Sequence, residues 1–222
     1  LQPRRSFVFK HRSILQISSA NELRRSDHSS RIVAQGDAAH LSATWYADPA
    51  KVERAAEVAR RVTDSVPLDP STRLLEYGAG TGLVTQSLRD HVGPVTLADT
   101  SPGMREVLHA KIDAGALTDA RVWDLDLSSQ PPPAEQFDLI VTSMVLHHIP
   151  DLHPVLAGFA ALLVPGGHLC IADLEQEDGS FHGDGFAGHH GFDRTALTAD
   201  LEEAGFAEVT FADCTVLERH DG

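Results

Sequence analysis

Apolar residues along this chain recur in two rhythms. Behind Asp48-Pro49, which suits a helix cap followed by a first helical position, Val52, Ala55, Ala56, Ala59 and Val62 fall at helical spacing. Short apolar runs come next: Leu74-Leu75 before Glu76, Val95 to Ala98 before Asp99, and Arg121 to Leu127, which ends in the acids Asp124 and Asp126. Helices are predicted over about 82–91, 102–114, 151–163 and 194–204. Ser101, Asp151 and Asp193 are the expected caps, Pro102 fits a first helical position, and Gly205 is a natural stop. Strands that alternate with helices need crossovers, so the pattern predicts an α/β architecture, a doubly wound and mostly parallel sheet with helices on both faces. Ligands of such sheets bind at the carboxyl ends of the strands, where Glu76, Asp99 and Asp126 fall.

With 222 residues, 42% of them hydrophobic, the chain can bury one sizeable core and is expected to form one domain. No apolar run is long enough to span a bilayer, so no membrane partner is expected. Cys170 and Cys214 are isolated, without a CxxC pair, and read as small core residues of a reducing compartment. The net charge of −14 lies wholly downstream of residue 35, because the head carries seven Arg and Lys against Glu22 and Asp27. A body this acidic repels nucleic-acid phosphates and attracts cations, which disfavours a DNA or RNA substrate. Residues 1–37 are therefore set apart as a basic, disordered or targeting extension, with the domain proper at 38–222. Cytoplasmic localisation is expected, or mitochondrial if that head is a transit peptide.

The sharpest chemical signal is the stretch Leu74-Leu75-Glu76-Tyr77-Gly78-Ala79-Gly80-Thr81-Gly82. Three glycines at alternate positions after a strand make a tight turn whose amides a ligand can approach closely, with a helix N-terminus behind it. A dinucleotide fingerprint, GxGxxG, would need a glycine where Leu83 stands, and the phosphate loop GxxxxGK[ST] lacks its lysine. The remaining pattern, ExGxGxG, resembles motif I of the class I S-adenosylmethionine-dependent methyltransferases, of the small-molecule, type 11/12-like kind.

Further landmarks follow in family order. Asp99 stands at the roughly 20-residue distance at which an acid reaches ribose hydroxyls. Phe137 to Ile149, with its Phe-Asp-Leu-Ile and Leu-His-His segments, is similar to the family's fourth strand and the loop after it; Ser143 falls at that strand's end. Leu163-Val164-Pro165-Gly166-Gly167-His168-Leu169 resembles the family's turn into the fifth strand. The resemblance spans about residues 42–218 and implies a Rossmann-like fold with S-adenosyl-L-methionine as cofactor. It also implies a cofactor-binding set of Glu76, Tyr77, Gly78, Gly80, Gly82, Asp99, Thr100, Met104, Asp126, Leu127 and Ser143. In that set Glu76 organises the glycine turn and helps hold the amino-acid end, which lies on Gly78 and Gly80. Asp99 binds the ribose, Met104 packs on the adenine, and Asp126, with Asp124 as alternative, reads the adenine amino group. Trp45 and Tyr46 either close over the methionine end or staple a helix. The family's final antiparallel strand is expected to be missing, because Glu208 to Leu217 supplies a sixth strand and little chain remains. The fifth strand would then have an open edge, and with Leu1 at the start the expectation is a fragment or an atypical gene model.

Methyl transfer from a sulfonium is an in-line displacement in which positioning contributes on the order of 7 to 11 kcal/mol and a general base about 10² to 10⁴ in rate. A base is therefore optional, and the catalytic residues are left unassigned. His147 and His148, after the fourth strand, are candidates. So are His189 and His190, which share the long glycine-rich segment Glu175 to Arg194 with His182, Asp184 and Asp193. That spacing matches no standard metal motif such as HExxH, so no metal is assigned. The expected partner is a small-molecule acceptor, and a homo-oligomer is compatible with the sequence. A non-catalytic S-adenosylmethionine-binding protein and a Rossmann-type NAD-dependent oxidoreductase are the alternatives, the latter disfavoured by Leu83 and Asp126.

Overall fold

The computed structural model describes residues 4–14, 48–179, 181–182 and 185–218. Among the described residues, seven strands form one sheet: β1 (Arg4–Ile14), β2 (Leu74–Tyr77), β3 (Val95–Ala98), β4 (Ala120–Trp123), β5 (Phe137–Ser143), β6 (Leu163–Leu174) and β7 (Phe206–Glu218). Their order is β4-β3-β2-β5-β6-β1-β7, and every adjacent pair is parallel. Five α-helices connect them: α1 (Pro49–Ser65), α2 (Leu83–Leu88), α3 (Pro102–Asp113), α4 (His153–Leu162) and α5 (Arg194–Glu203). None of these helices is long and apolar enough to cross a membrane.

Side chains alternate across the pleat and build two cores, one on each sheet face. Leu75, Tyr77, Ile140, Leu169 and Ile171 face α4 and α5, meeting Phe159, Leu197 and Leu201. Leu74, Leu97, Leu139, Val141 and Cys170 face α1, α2 and α3, meeting Val58, Val62, Leu88 and Leu108. The expected doubly wound architecture is thus present. The caps at Asp48, Ser101 and Asp193 form as expected, each side-chain oxygen accepting from an amide of the first turn. Asp151 is not a cap: Leu152 holds that position, and Asp151 Oδ1 accepts from the His153 amide at 3.1 Å.

The head of the chain corrects the expected domain division. Residues 4–14, assigned to a disordered or targeting extension, are β1 and lie between β6 and β7, so the strand expected to have an open edge is paired along Arg5 to His11. The missing antiparallel strand is indeed absent among the described residues, and a parallel one occupies the place beside β6. The physical reason is a short apolar centre, Phe7-Val8-Phe9, hidden among basic residues. Val8 is fully buried, Arg4 donates to the Leu163 carbonyl, and Arg5 pairs with Glu208 at 3.0 Å. The rest of the extension, and Trp45 and Tyr46, lie outside the described residues.

Candidate functional site

Because β2 is buried between β3 and β5, the chain leaving Tyr77 must turn at once over the sheet's carboxyl edge. Gly78, Gly80 and Gly82 make that turn at φ of +71°, +54° and +73°, a region that costs other residues roughly 1 to 2 kcal/mol. The Gly78 and Ala79 amides donate to the Ala98 carbonyl at 2.8 and 2.9 Å, and the Gly80 amide donates to Asp99 Oδ2 at 2.7 Å. Asp99 Oδ1 also accepts from the Ser101 amide at 2.9 Å. One carboxylate therefore ties the first turn to the second. A Cβ on Gly78 would overlap Val145, whereas above Gly80 there is nothing within 4 Å. The open space over Gly80 is where a ligand can lie on bare backbone.

Glu76 is 3% exposed and accepts from the Thr85 amide at 3.0 Å, pinning α2 beneath the turn. Burial raises its pKa to about 7, against the pull of Thr85 and of Lys111. Burial likewise lowers Lys111 to about 8; its ammonium donates to the Thr81 carbonyl at 2.7 Å. Glu76 thus organises the turn from below, and it does not line the cavity described next.

A cavity of about 410 Å³ opens at the carboxyl ends of β2, β3 and β5. Of the expected cofactor residues, Tyr77, Gly78, Asp99, Thr100 and Asp126 line it; Gly80, Gly82, Met104, Leu127 and Ser143 do not. Leu127 is core: its amide donates to the Tyr77 hydroxyl at 3.1 Å. Gly82 closes the turn, and Met104 sits in the first turn of α3, where its amide bonds Ser101 Oγ at 3.4 Å. The third strand is shorter than expected, ending at Trp123, so both acids after it stand on a loop. There Asp124 is taken by Arg105 at 2.9 Å, while Asp126 faces the cavity. The Ser128 and then the Ser129 hydroxyls hold the Asp126 carboxyl below the ordinary range and so keep it ionised. Two other hollows, about 420 and 330 Å³, lie at the opposite edge, against strand starts such as Val95, Ala120 and Phe137 or beside Gly166 and Gly167. Neither is lined by the acids after β3 and β4 that the sequence singled out, so the carboxyl-end cavity is the candidate site.

Sequence reasoning named His148 but missed the rest of the cavity's other wall. Met144 and Val145 line it with His148, Ile149 and Pro150. Met144 has φ +58°, a strained conformation for a residue with a long side chain, held by its amide bond to the Ala172 carbonyl at 2.8 Å. A lone acid in an apolar run, Asp173, was the available signal. It is 1% exposed and accepts from the Leu146 and Leu174 amides and from His147 Nδ1 at 2.6 Å.

The candidate histidines separate clearly. His148 lines the cavity, its pKa lowered by burial and then by His147. His147 lies behind it, ring centroids 4.0 Å apart. His189 is a strut: Nε2 bonds the Ile149 carbonyl at 2.9 Å, and its amide donates to the His147 carbonyl. His190 sits beside Glu177 at 3.4 Å. His182, from within the long loop, joins His147 and His148, which no local spacing could reveal.

A family model described as a methyltransferase domain matches residues 50–210. An uncharacterized methyltransferase of Schizosaccharomyces pombe is 33% identical over 135 residues, covering 54% of this chain and 48% of the relative. A ubiquinone biosynthesis O-methyltransferase of Xanthomonas axonopodis pv. citri is 32% identical over 142 residues, covering 62% and 58%. The chain spans about half the length of the curated relatives it matches. A solved S-adenosylmethionine-dependent methyltransferase from Aquifex aeolicus superposes with a TM-score of 0.56 at 21% identity, covering 71% of this chain and 88% of that one. At that identity the likeness is one of fold.

Proposed function

We propose, because the chain belongs to the class I S-adenosylmethionine-dependent methyltransferase family, that it transfers the cofactor's methyl group to a small-molecule acceptor. The carrying observation is the cavity over the glycine turn, with Asp99 and Asp126 on its wall. The residues fit the cofactor. Bare backbone at Gly80 leaves room for its amino-acid end, Asp99 stands where two ribose hydroxyls could donate, and Asp126 offers an acceptor for the adenine amino group. A negative chain suits a sulfonium. Met104, beyond the lining, is assigned to adenine contact from the start of α3, and Glu76 and Gly82 act by fixing the turn.

The cofactor supplies an activated methyl group. The chain's own task is to hold the acceptor behind that methyl carbon and to exclude water, and the wall formed by Met144, Val145, His148 and Ile149 is the surface available for it. That wall has both apolar and imidazole character, which favours an acceptor with an apolar body and one ionisable atom. The similar ubiquinone biosynthesis O-methyltransferase makes a hydroxyl acceptor the first class to screen.

Calorimetric titration tests the reading. S-adenosylmethionine should bind the wild type and NADH should not. Asp99→Ala should weaken binding by more than about 1.5 kcal/mol, through loss of charge-assisted hydrogen bonds. NADH binding without S-adenosylmethionine binding would replace this reading with the oxidoreductase one. Cofactor binding with no transfer to any acceptor across hydroxyl, amine and thiol panels would favour the non-catalytic binding protein.

A further inference from the structure

We propose that His147, His148 and His182 form a three-histidine site for a divalent transition-metal ion of the zinc class, with an open coordination position facing the cavity. One ring nitrogen from each residue lies within 4.8 Å of those of the other two. Zinc bound to nitrogen at about 2.0 to 2.1 Å in tetrahedral geometry sets its ligands roughly 3.3 Å apart, so the rings need close by no more than about 1.5 Å.

The surroundings are those of a built site. His147 is 1% exposed, and its Nδ1 contacts Asp173 Oδ1 at 2.6 Å. A carboxylate can only accept, so Nδ1 carries the hydrogen, and Nε2 is the ring atom left to bind an ion through its lone pair in the neutral tautomer. A buried carboxylate behind a ligating imidazole is the arrangement that orients metal-bound histidines and raises their basicity. Asp173 is itself fixed by the Leu146 and Leu174 amides. On the third ligand, the buried Nδ1 of His182 has no hydrogen-bond partner among the described residues. Phe186 stacks on the His182 ring, centroids 3.9 Å apart and planes 7° off parallel, which holds the imidazole against the cluster and limits water.

The donor set selects the ion. Three imidazoles without a thiolate suit zinc, iron(II), cobalt(II) or nickel(II) over calcium or magnesium, which take oxygen ligands. Three protein ligands leave a tetrahedral ion one free position. His148 places that position at the cavity wall, beside Met144 and Ile149. The ion's use rests on the methyltransferase reading: an acceptor hydroxyl or thiol ligated there would ionise at lower pH than in water, releasing its proton to solvent. The acceptor atom then attacks the methyl carbon as the carbon–sulfur bond breaks, its electron pair returning to sulfur.

The test uses untagged full-length chain stripped with a chelator, titrated with zinc by calorimetry and with cobalt(II) by visible absorption. One equivalent of zinc per chain and the d–d bands of a tetrahedral nitrogen site are expected. His182→Ala and His148→Ala should each weaken zinc binding at least ~10-fold, and Asp173→Asn about 10- to 100-fold. Circular dichroism checks each variant's fold, and any one folded variant decides. Absence of stoichiometric binding, or binding of unchanged affinity in folded His182→Ala, an adventitious ion only, overturns the proposal. Zinc and S-adenosylmethionine are titrated separately. Zinc binding without cofactor binding therefore leaves the metal site standing and removes the methyl-transfer role, and the converse removes only the metal.

Discussion

The cavity's two walls are built differently. The β2–β3 wall is local: Gly78 and Asp99 line the cavity, Glu76, Gly80 and Gly82 fix the turn behind them, and all lie within one strand–helix–strand unit tied together by hydrogen bonds from main-chain amides. The β5–β6 wall is assembled across the chain. His147 and His148 follow β5, Asp173 lies within β6, and His182 and Phe186 come from the loop after it. The first wall is backbone against backbone, where conformation is costly to alter. The second is side chain against side chain, held by ring contacts and a few hydrogen bonds. Under the proposed function, the rigid wall would serve the cofactor and the other wall the acceptor.

The largest effect expected is at the rigid wall, where two glycines share a conformation but not a neighbour. Gly78→Ala adds strain at φ +71° and an overlap with Val145, and should cost about 3 kcal/mol of stability. Gly80→Ala meets open space, so only the strain of φ +54° applies, about 1 to 2 kcal/mol. Both should lose S-adenosylmethionine binding, since a methyl group at Gly80 points into the ligand's place. Urea denaturation and calorimetry on the pair check this. Equal stability losses would show that Val145 yields freely and that the two walls are not mechanically distinct.

Next in size is a pH effect from Glu76. Its folded pKa of about 7 exceeds the ordinary 4.5, so the folded state holds the proton more tightly. The stability this adds is fully present below pH 4.5 and lost as pH rises to about 7, a change of roughly 3 kcal/mol for this fully buried group. Glu76→Gln keeps an acceptor for the Thr85 amide and does not titrate. The variant's stability relative to wild type should therefore climb between pH 4.5 and 7 and level off above. Parallel denaturation curves across that range would mean that Lys111 compensates Glu76 and that the pin beneath the turn is an ion pair.

How legible each wall was follows from the same contrast. ExGxGxG is contiguous and Asp99 follows at a fixed distance at the end of the next strand, and a strand-to-helix turn with positive φ has few alternatives to glycine; the sequence therefore carried its own geometry there. Asp126 was favoured over Asp124, and the structure puts Asp126 on the cavity and Asp124 on Arg105. Residues whose place depends on tertiary packing were not legible. β1 was hidden because Arg4, Arg5, Lys10 and Arg12 outweigh Phe7-Val8-Phe9 in any compositional reading, and that short run gains its partners only from the distant strands β6 and β7. The meeting of His182 with His147 depends on how the loop after β6 folds back over β5, which no spacing rule encodes.

The smallest effect tests how firmly that loop is held. His189 links it to the β5 wall through Nε2 and the Ile149 carbonyl at 2.9 Å, while its own amide bond to the His147 carbonyl survives any substitution of the side chain. A hydrogen bond to a carbonyl needs the proton on Nε2, so His189 acts as a donor in the resting structure. His189→Ala should therefore cost about 1 kcal/mol, the usual net value of one such bond, with the ring's contact to Phe192 adding little. Thermal and urea denaturation give the number, and S-adenosylmethionine affinity should stay within a few-fold because Gly80, Asp99 and Asp126 are untouched. A loss above about 3 kcal/mol would show that the loop wall is as stiff as the glycine turn, and the division of labour between the walls would fail. A large fall in transfer rate at unchanged stability would instead return His189 to the list of candidate bases.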